Sequence, residues 1–88
     1  QREQAAALYA TLSQISQRIK AGDVNFRGLE EEALAALAAV GLQPDYFHIC
    51  KRSTLQLAVQ SDTDLIILAA VYAGTTRLID NIFVQAAA

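Results

Sequence analysis

The sequence predicts an α+β fold in which two helices pack on a three-stranded antiparallel sheet, with one short helical turn between the first two strands. Three observations predict it. Apolar residues recur at helical spacing as far as Val40, short runs rich in β-favouring residues follow Pro44, and Ala73-Gly74 separates two of those runs as a hairpin turn does. Eighty-eight residues make one small domain, 1–88. A chain of this size buries only about 60% of the surface its unfolded form exposes, so it folds alone with little margin.

From Arg2 to Lys20, the residues Leu8, Leu12, Ile15 and Ile19 recur at steps of four, three and four, which is one face of a helix. Gln14, Gln17, Arg18 and Lys20 take the other face. Gly22 suits the left-handed residue that closes a helix, and Lys20 in the last turn suits the negative end of the macrodipole. Asp23 and Asn25 are both competent N-caps for a second helix, with Glu30, Glu31 and Glu32 crowding its early turns, where negative charge is favoured. That helix carries Phe26, Leu29, Ala33, Leu37 and Val40 inward, and Gly41 ends it. Gly28 inside the pattern costs about 1 kcal/mol relative to Ala, which moves the expected start toward Leu29.

Pro44 blocks further helix, and Asp45 to Cys50 is aromatic and β-favouring, hence a first strand. Ser53 can cap one helical turn at Thr54-Leu55-Gln56. Asp62 and Asp64 punctuate before Leu65 to Tyr72, a run too short and too rich in Ile and Val for a helix, which reads as the central strand. Thr75 to Val84 returns as the third. Its period of two puts Arg77, Ile79, Asn81 and Phe83 on one face and Thr76, Leu78, Asp80 and Ile82 on the other. Arg77 and Asp80 therefore do not pair within the strand, and each looks to a neighbouring element.

A net charge of -2 with scattered Lys and Arg gives no footprint for a nucleic acid or an anionic membrane. The apolar run from Leu65 to Ala73 is far shorter than the roughly 20 residues of a spanning helix. One Cys and one His, Cys50 and His48, make neither an internal disulfide nor a zinc site, and a reducing cytoplasmic setting is expected. Hydrophobic residues are 53% of the chain, an excess that calls for another domain or subunit to cover it. The chain starts at Gln1 without an initiator Met and shows no secretory signal, so it reads as a piece of a longer protein.

His48 and Cys50 lack the nucleophile, base and orienting group that catalysis needs, and both read as structural. Glu30, Glu31 and Glu32 point about 100° apart along a helix and do not converge on one ion. They read as dipole compensation on a solvated face. Gly74 is a turn glycine rather than part of a phosphate loop. Thr76, Arg77, Asp80 and Asn81 remain. Polar groups between apolar flanks need partners, so these four are the expected structural or interdomain signature, with pinning favoured over substrate contact. No catalytic, cofactor-binding or metal-binding residue is assigned.

The stretch Gly74-Thr75-Thr76-Arg77-Leu78-Ile79-Asp80-Asn81-Ile82, with Leu42-Gln43-Pro44-Asp45-Tyr46-Phe47-His48-Ile49 and Ser53-Thr54-Leu55, resembles the C-terminal domain of the pantothenate synthetases, the pantoate:β-alanine ligases. The likeness runs from about Arg2 to Val84. It implies that the whole enzyme condenses pantoate with β-alanine at the expense of ATP, with magnesium, through a pantoyl adenylate. It also implies that the His-x-Gly-His and Ser-Ser-Arg-Asn elements lie outside this chain, in and beside an N-terminal nucleotide-binding domain absent here. The chain is then a lid, inactive by itself, with no ATP or magnesium of its own and the N-terminal domain as its partner. The competing expectation is a stand-alone interaction or small-molecule-sensing module that forms a homodimer through its apolar surface.

Overall fold

The computed structural model describes residues 2–87. Helix α1 spans Arg2–Lys20 and α2 spans Phe26–Ala39; strands β1 (Gln43–Lys51), β2 (Asp64–Ala73) and β3 (Thr76–Gln85) follow. The sheet is antiparallel in the order β1-β2-β3, so the apolar run lies in its centre. Both helices lie on one face, α2 over β1 and α1 over β3. The two-helix, three-strand reading is the observed fold.

The core forms between the layers. Leu8, Leu12, Ile15 and Ile19 of α1 and Phe26, Leu29, Ala33 and Leu37 of α2 meet Phe47, Ile49, Leu65, Ile67, Ala69, Val71 and Val84 of the sheet, all buried. Burying each of the Leu, Ile, Val and Phe side chains contributes about 1.5–3 kcal/mol against exposure. Each helix closes with a left-handed glycine, Gly22 at φ 108° and Gly41 at φ 87°. At the end of α2 the Gly41 N–H bonds Ala38 O at 3.0 Å and the Leu42 N–H bonds Leu37 O at 3.2 Å, and the same pattern closes α1.

Four local expectations change. Helix α2 starts at Phe26 rather than near Leu29, because Asn25 Oδ1 accepts from the Gly28 N–H at 3.2 Å. A Cβ at position 28 would overlap the Asn25 carboxamide, so the glycine clears space for the cap. Val40, expected inward, is 61% exposed: it is the C-cap, at φ −98° and ψ 17°, where the chain leaves the helical path.

The helical turn expected at Thr54-Leu55-Gln56 is a tight non-helical turn over residues 52–54. Leu55 stands at φ 62°, which ends any helical course, and the chain folds back along β1 through a Cys50–Leu57 bridge. Finally, β1 starts before Asp45 and holds Pro44. As an edge strand it tolerates a residue without an N–H. Its register with β2 shifts between Pro44 and Tyr46, leaving Asp45 without a ladder partner.

Candidate functional site

Of the four signature residues, Thr76 and Asp80 lie on the helix side of β3 with alternate positions Leu78 and Ile82, and Arg77 and Asn81 lie on the outer face. Arg77 reaches across β2 to β1, where its Nη2 donates to Asp45 Oδ2 at 2.9 Å. The bulge explains the reach: freed from the ladder, Asp45 is re-aimed toward the far strand. That hydrogen bond is the first cause holding the Arg77 guanidinium above its ordinary pKa. Its carbon centre also sits 6.0 Å from the Tyr46 ring centroid.

Asp80 does not pair with Arg77. Its Oδ1 accepts from the Asn81 N–H at 2.8 Å. β3 is the other edge of the sheet, so a side chain occupies one of its backbone donors.

His48 is exposed and stacks on Tyr46, with ring centroids 5.2 Å apart and planes at 10°. Cys50 shares its face by period yet is buried, because the returning segment bridges at Leu57 beside it. Burial first, and the Glu30 carboxylate second, push the thiol pKa up, while Arg27 opposes them. A raised pKa leaves the thiol neutral and poorly nucleophilic.

The polar centre that sequence reasoning missed belongs to α2. Glu30 is 9% exposed, and its Oε2 accepts the Ile49 N–H at 2.8 Å. Arg27 bonds the same carboxylate oxygen at 2.9 Å and donates to Ile49 O at 3.0 Å, and the Ala58 N–H reaches that carbonyl at 2.9 Å. Two adjacent elements thereby satisfy the outward backbone groups of the β1 edge. A usable signal was present: Glu30 lies four residues after Phe26 and three before Ala33, on the apolar face, whereas Glu31 and Glu32 are exposed. Read as one acidic run, the three hid that difference.

At the far end of the helices, Arg18 donates to Glu32 Oε1 and Asp23 Oδ2, each at 3.0 Å, tying α1 to α2 at the surface. Among the described residues, no group of three or more His, Cys, Asp or Glu could hold a metal ion. No helix among them is long and apolar enough to cross a membrane.

Fold and polar centres define a two-layer α+β domain whose charged side chains bind its own strands and helices to one another. The Pantoate-beta-alanine ligase family profile matches residues 1–83, and the chain belongs to that family. It is 49% identical over 85 residues to a pantothenate synthetase of Hahella chejuensis and 48% identical to one of Pseudomonas aeruginosa, in each case 97% of this chain and 30% of the relative. The chain thus spans less than a third of the length of these curated relatives. A crystal structure of pantothenate synthetase from Thermus thermophilus superposes with a TM-score of 0.79 at 26% identity, over 92% of this chain and 29% of that one.

Proposed function

We propose that this domain is the lid of an ATP-dependent, AMP-forming ligase that joins pantoate to β-alanine. The observation that carries the reading is the family match over nearly the whole chain to proteins more than three times its length. In the reaction, the pantoate carboxylate attacks ATP and releases pyrophosphate. The β-alanine amine then attacks the acyl carbon of the adenylate and expels AMP. Adenylates are lost to water unless the site closes, and closure also strengthens the electrostatic contacts inside it.

The other portion of the enzyme holds ATP and magnesium in this reading. Thr76, Arg77, Asp80 and Asn81 hold the lid's own sheet and its contact with that portion. None of them touches the reacting atoms. An exposed His48 without a nucleophile and a neutral Cys50 support a covering rather than a catalytic role.

The test replaces the matched segment of the Hahella chejuensis relative with this chain and assays pantothenate. The hybrid forms pantothenate, and the 88-residue chain alone forms none. Product from the isolated chain, or a folded hybrid that forms the adenylate but loses it to water as fast as the relative with this segment deleted, overturns the reading.

A further inference from the structure

One bond beyond the strands fixes the phase of the β2–β3 ladder: the Ala86 N–H donates to Thr63 O at 2.8 Å, one step past the Asp64–Gln85 pair. Bonded and non-bonded pairs alternate along an antiparallel ladder. Leu78, Asp80, Ile82 and Val84 therefore bond β2, while Arg77, Ile79, Asn81, Phe83 and Gln85 point their N–H and C=O groups away from the sheet. The two edges are then unlike. On β1, Glu30, Arg27 and the returning segment take the outward backbone groups of Ile49 and Lys51. On β3, among the described residues, one outward backbone group meets a partner: the Asn81 N–H, held by Asp80 Oδ1 at 2.8 Å. It stands at the middle of the outward series.

An unpaired strand edge is a template for another strand. The partner whose pattern fits this one is β3 of a second copy. Laid antiparallel with Asn81 opposite its counterpart, each outward N–H faces an outward C=O, Arg77 faces Gln85, and Ile79 faces Phe83 on both sides of the two-fold axis. Those two residues are 62% and 55% exposed, and an aliphatic side chain across from an aromatic one is a favourable cross-strand pair. Asp80 opposes this pairing at its centre. Its carboxylate occupies the donor that lies beside the axis, so each copy must give up that bond to pair. The pairing also brings the two Asp80 side chains to diagonal positions about 7–8 Å apart, where like charges repel.

We propose that the free edge of β3 is a strand-pairing surface for a second copy of this chain, and that Asp80 holds it shut. The edge belongs to the domain itself, so this role does not depend on the lid reading. Aspartate is a poor strand former. Its place in the middle of β3 is explained by the edge it closes rather than by a partner across the fold.

The test reads the mass of the 88-residue chain by light scattering from about 10 μM to about 1 mM, a range that spans the dissociation of small interfaces. The parent chain stays at 9.5 kDa throughout. Asp80→Ala and Asp80→Val rise toward twice that mass. Adding Asn81→Pro restores the monomer, because it removes the central donor while an edge strand tolerates the loss of an outward N–H. Ile79→Lys, which breaks the pair with Phe83, serves the same purpose if the proline variant does not fold. A folded Asp80 variant that stays monomeric at the highest concentration overturns the proposal, and so does a parent chain that already dimerises. Association that survives the second substitution lies elsewhere and overturns it too. If neither Asp80 variant folds, Asp80 is a structural pin and the guarding role falls.

Discussion

The carboxylate of Glu30 accepts the backbone N–H of Ile49 at 2.8 Å, joining the second helix to the edge strand of the sheet it covers. Ile49 has its side chain in the core and its N–H and C=O directed away from β2. Without Glu30 and Arg27, those groups would be buried near the helix layer with no solvent to replace them. An acidic residue on an apolar helix face is therefore a requirement of the edge strand beside it.

Glu30→Ala leaves the Ile49 N–H unsatisfied and costs about 1–3 kcal/mol. For a domain of this size each kcal/mol corresponds to roughly 4–8 °C in melting temperature. Calorimetry on the isolated chain reads the fall directly, and Glu30→Gln, which keeps an acceptor oxygen, recovers part of it. Equal melting of Glu30→Ala and the parent chain would show that water replaces the carboxylate.

Gly28→Ala would gain about 1 kcal/mol from helix propensity alone. Here the added methyl displaces the Asn25 side chain from the Gly28 N–H, a loss of about 1 kcal/mol for a cap. The expected outcome is no net stabilisation in urea unfolding. In an Asn25→Ala background, where no cap is left to displace, the same substitution stabilises.

Arg77 and Asp45 are 41% and 40% exposed, and ion pairs so placed contribute little to stability. Arg77→Ala is expected to lower the melting temperature of the isolated chain less than Glu30→Ala does. Asp45→Ala should match it, and the double variant should melt no lower than either single one. A loss as large as that of Glu30→Ala would place Arg77 among the groups that hold this sheet together. The smaller loss, joined to weakened pantothenate formation in the full-length protein, assigns it to contact with the rest of the polypeptide.

The Cys50 thiol, raised in pKa by burial and by Glu30, makes stability depend on alkaline pH. Its contribution is fully present below the ordinary thiol value of 9.0 and is lost as pH rises through the higher folded value, because the unfolded chain releases the proton first. The melting temperature of the parent chain should therefore fall more steeply above that ordinary value than that of Cys50→Ala. Parallel curves would mean that the thiolate is solvated in place.

Much of the architecture is legible in the sequence because burial follows period. Leu8, Leu12, Ile15 and Ile19 name the inner face of α1, and the alternation along β3 names its two faces; all of these appear where periodicity puts them. The pairing of Arg77 with Asp45 was not legible. The two are 32 positions apart, and contact depends on a bulge that no local pattern announces. Gly28 misled because propensity counts its cost and not the cap it makes room for. Glu30 was hidden by two acidic neighbours that serve only solvent.

The sequence by itself determined the elements, their order and their inward faces, since hydrophobic periodicity and chain-breaking residues act within a few positions of one another. Only the tertiary structure decided which polar groups meet, Glu30 with Ile49 and Arg77 with Asp45, and which side of the sheet is left uncovered. Those outcomes depend on strand register and on which edge a helix crosses. Register and crossing are set by the packing of segments distant in the chain, where one residue of slip turns every side chain to the opposite face.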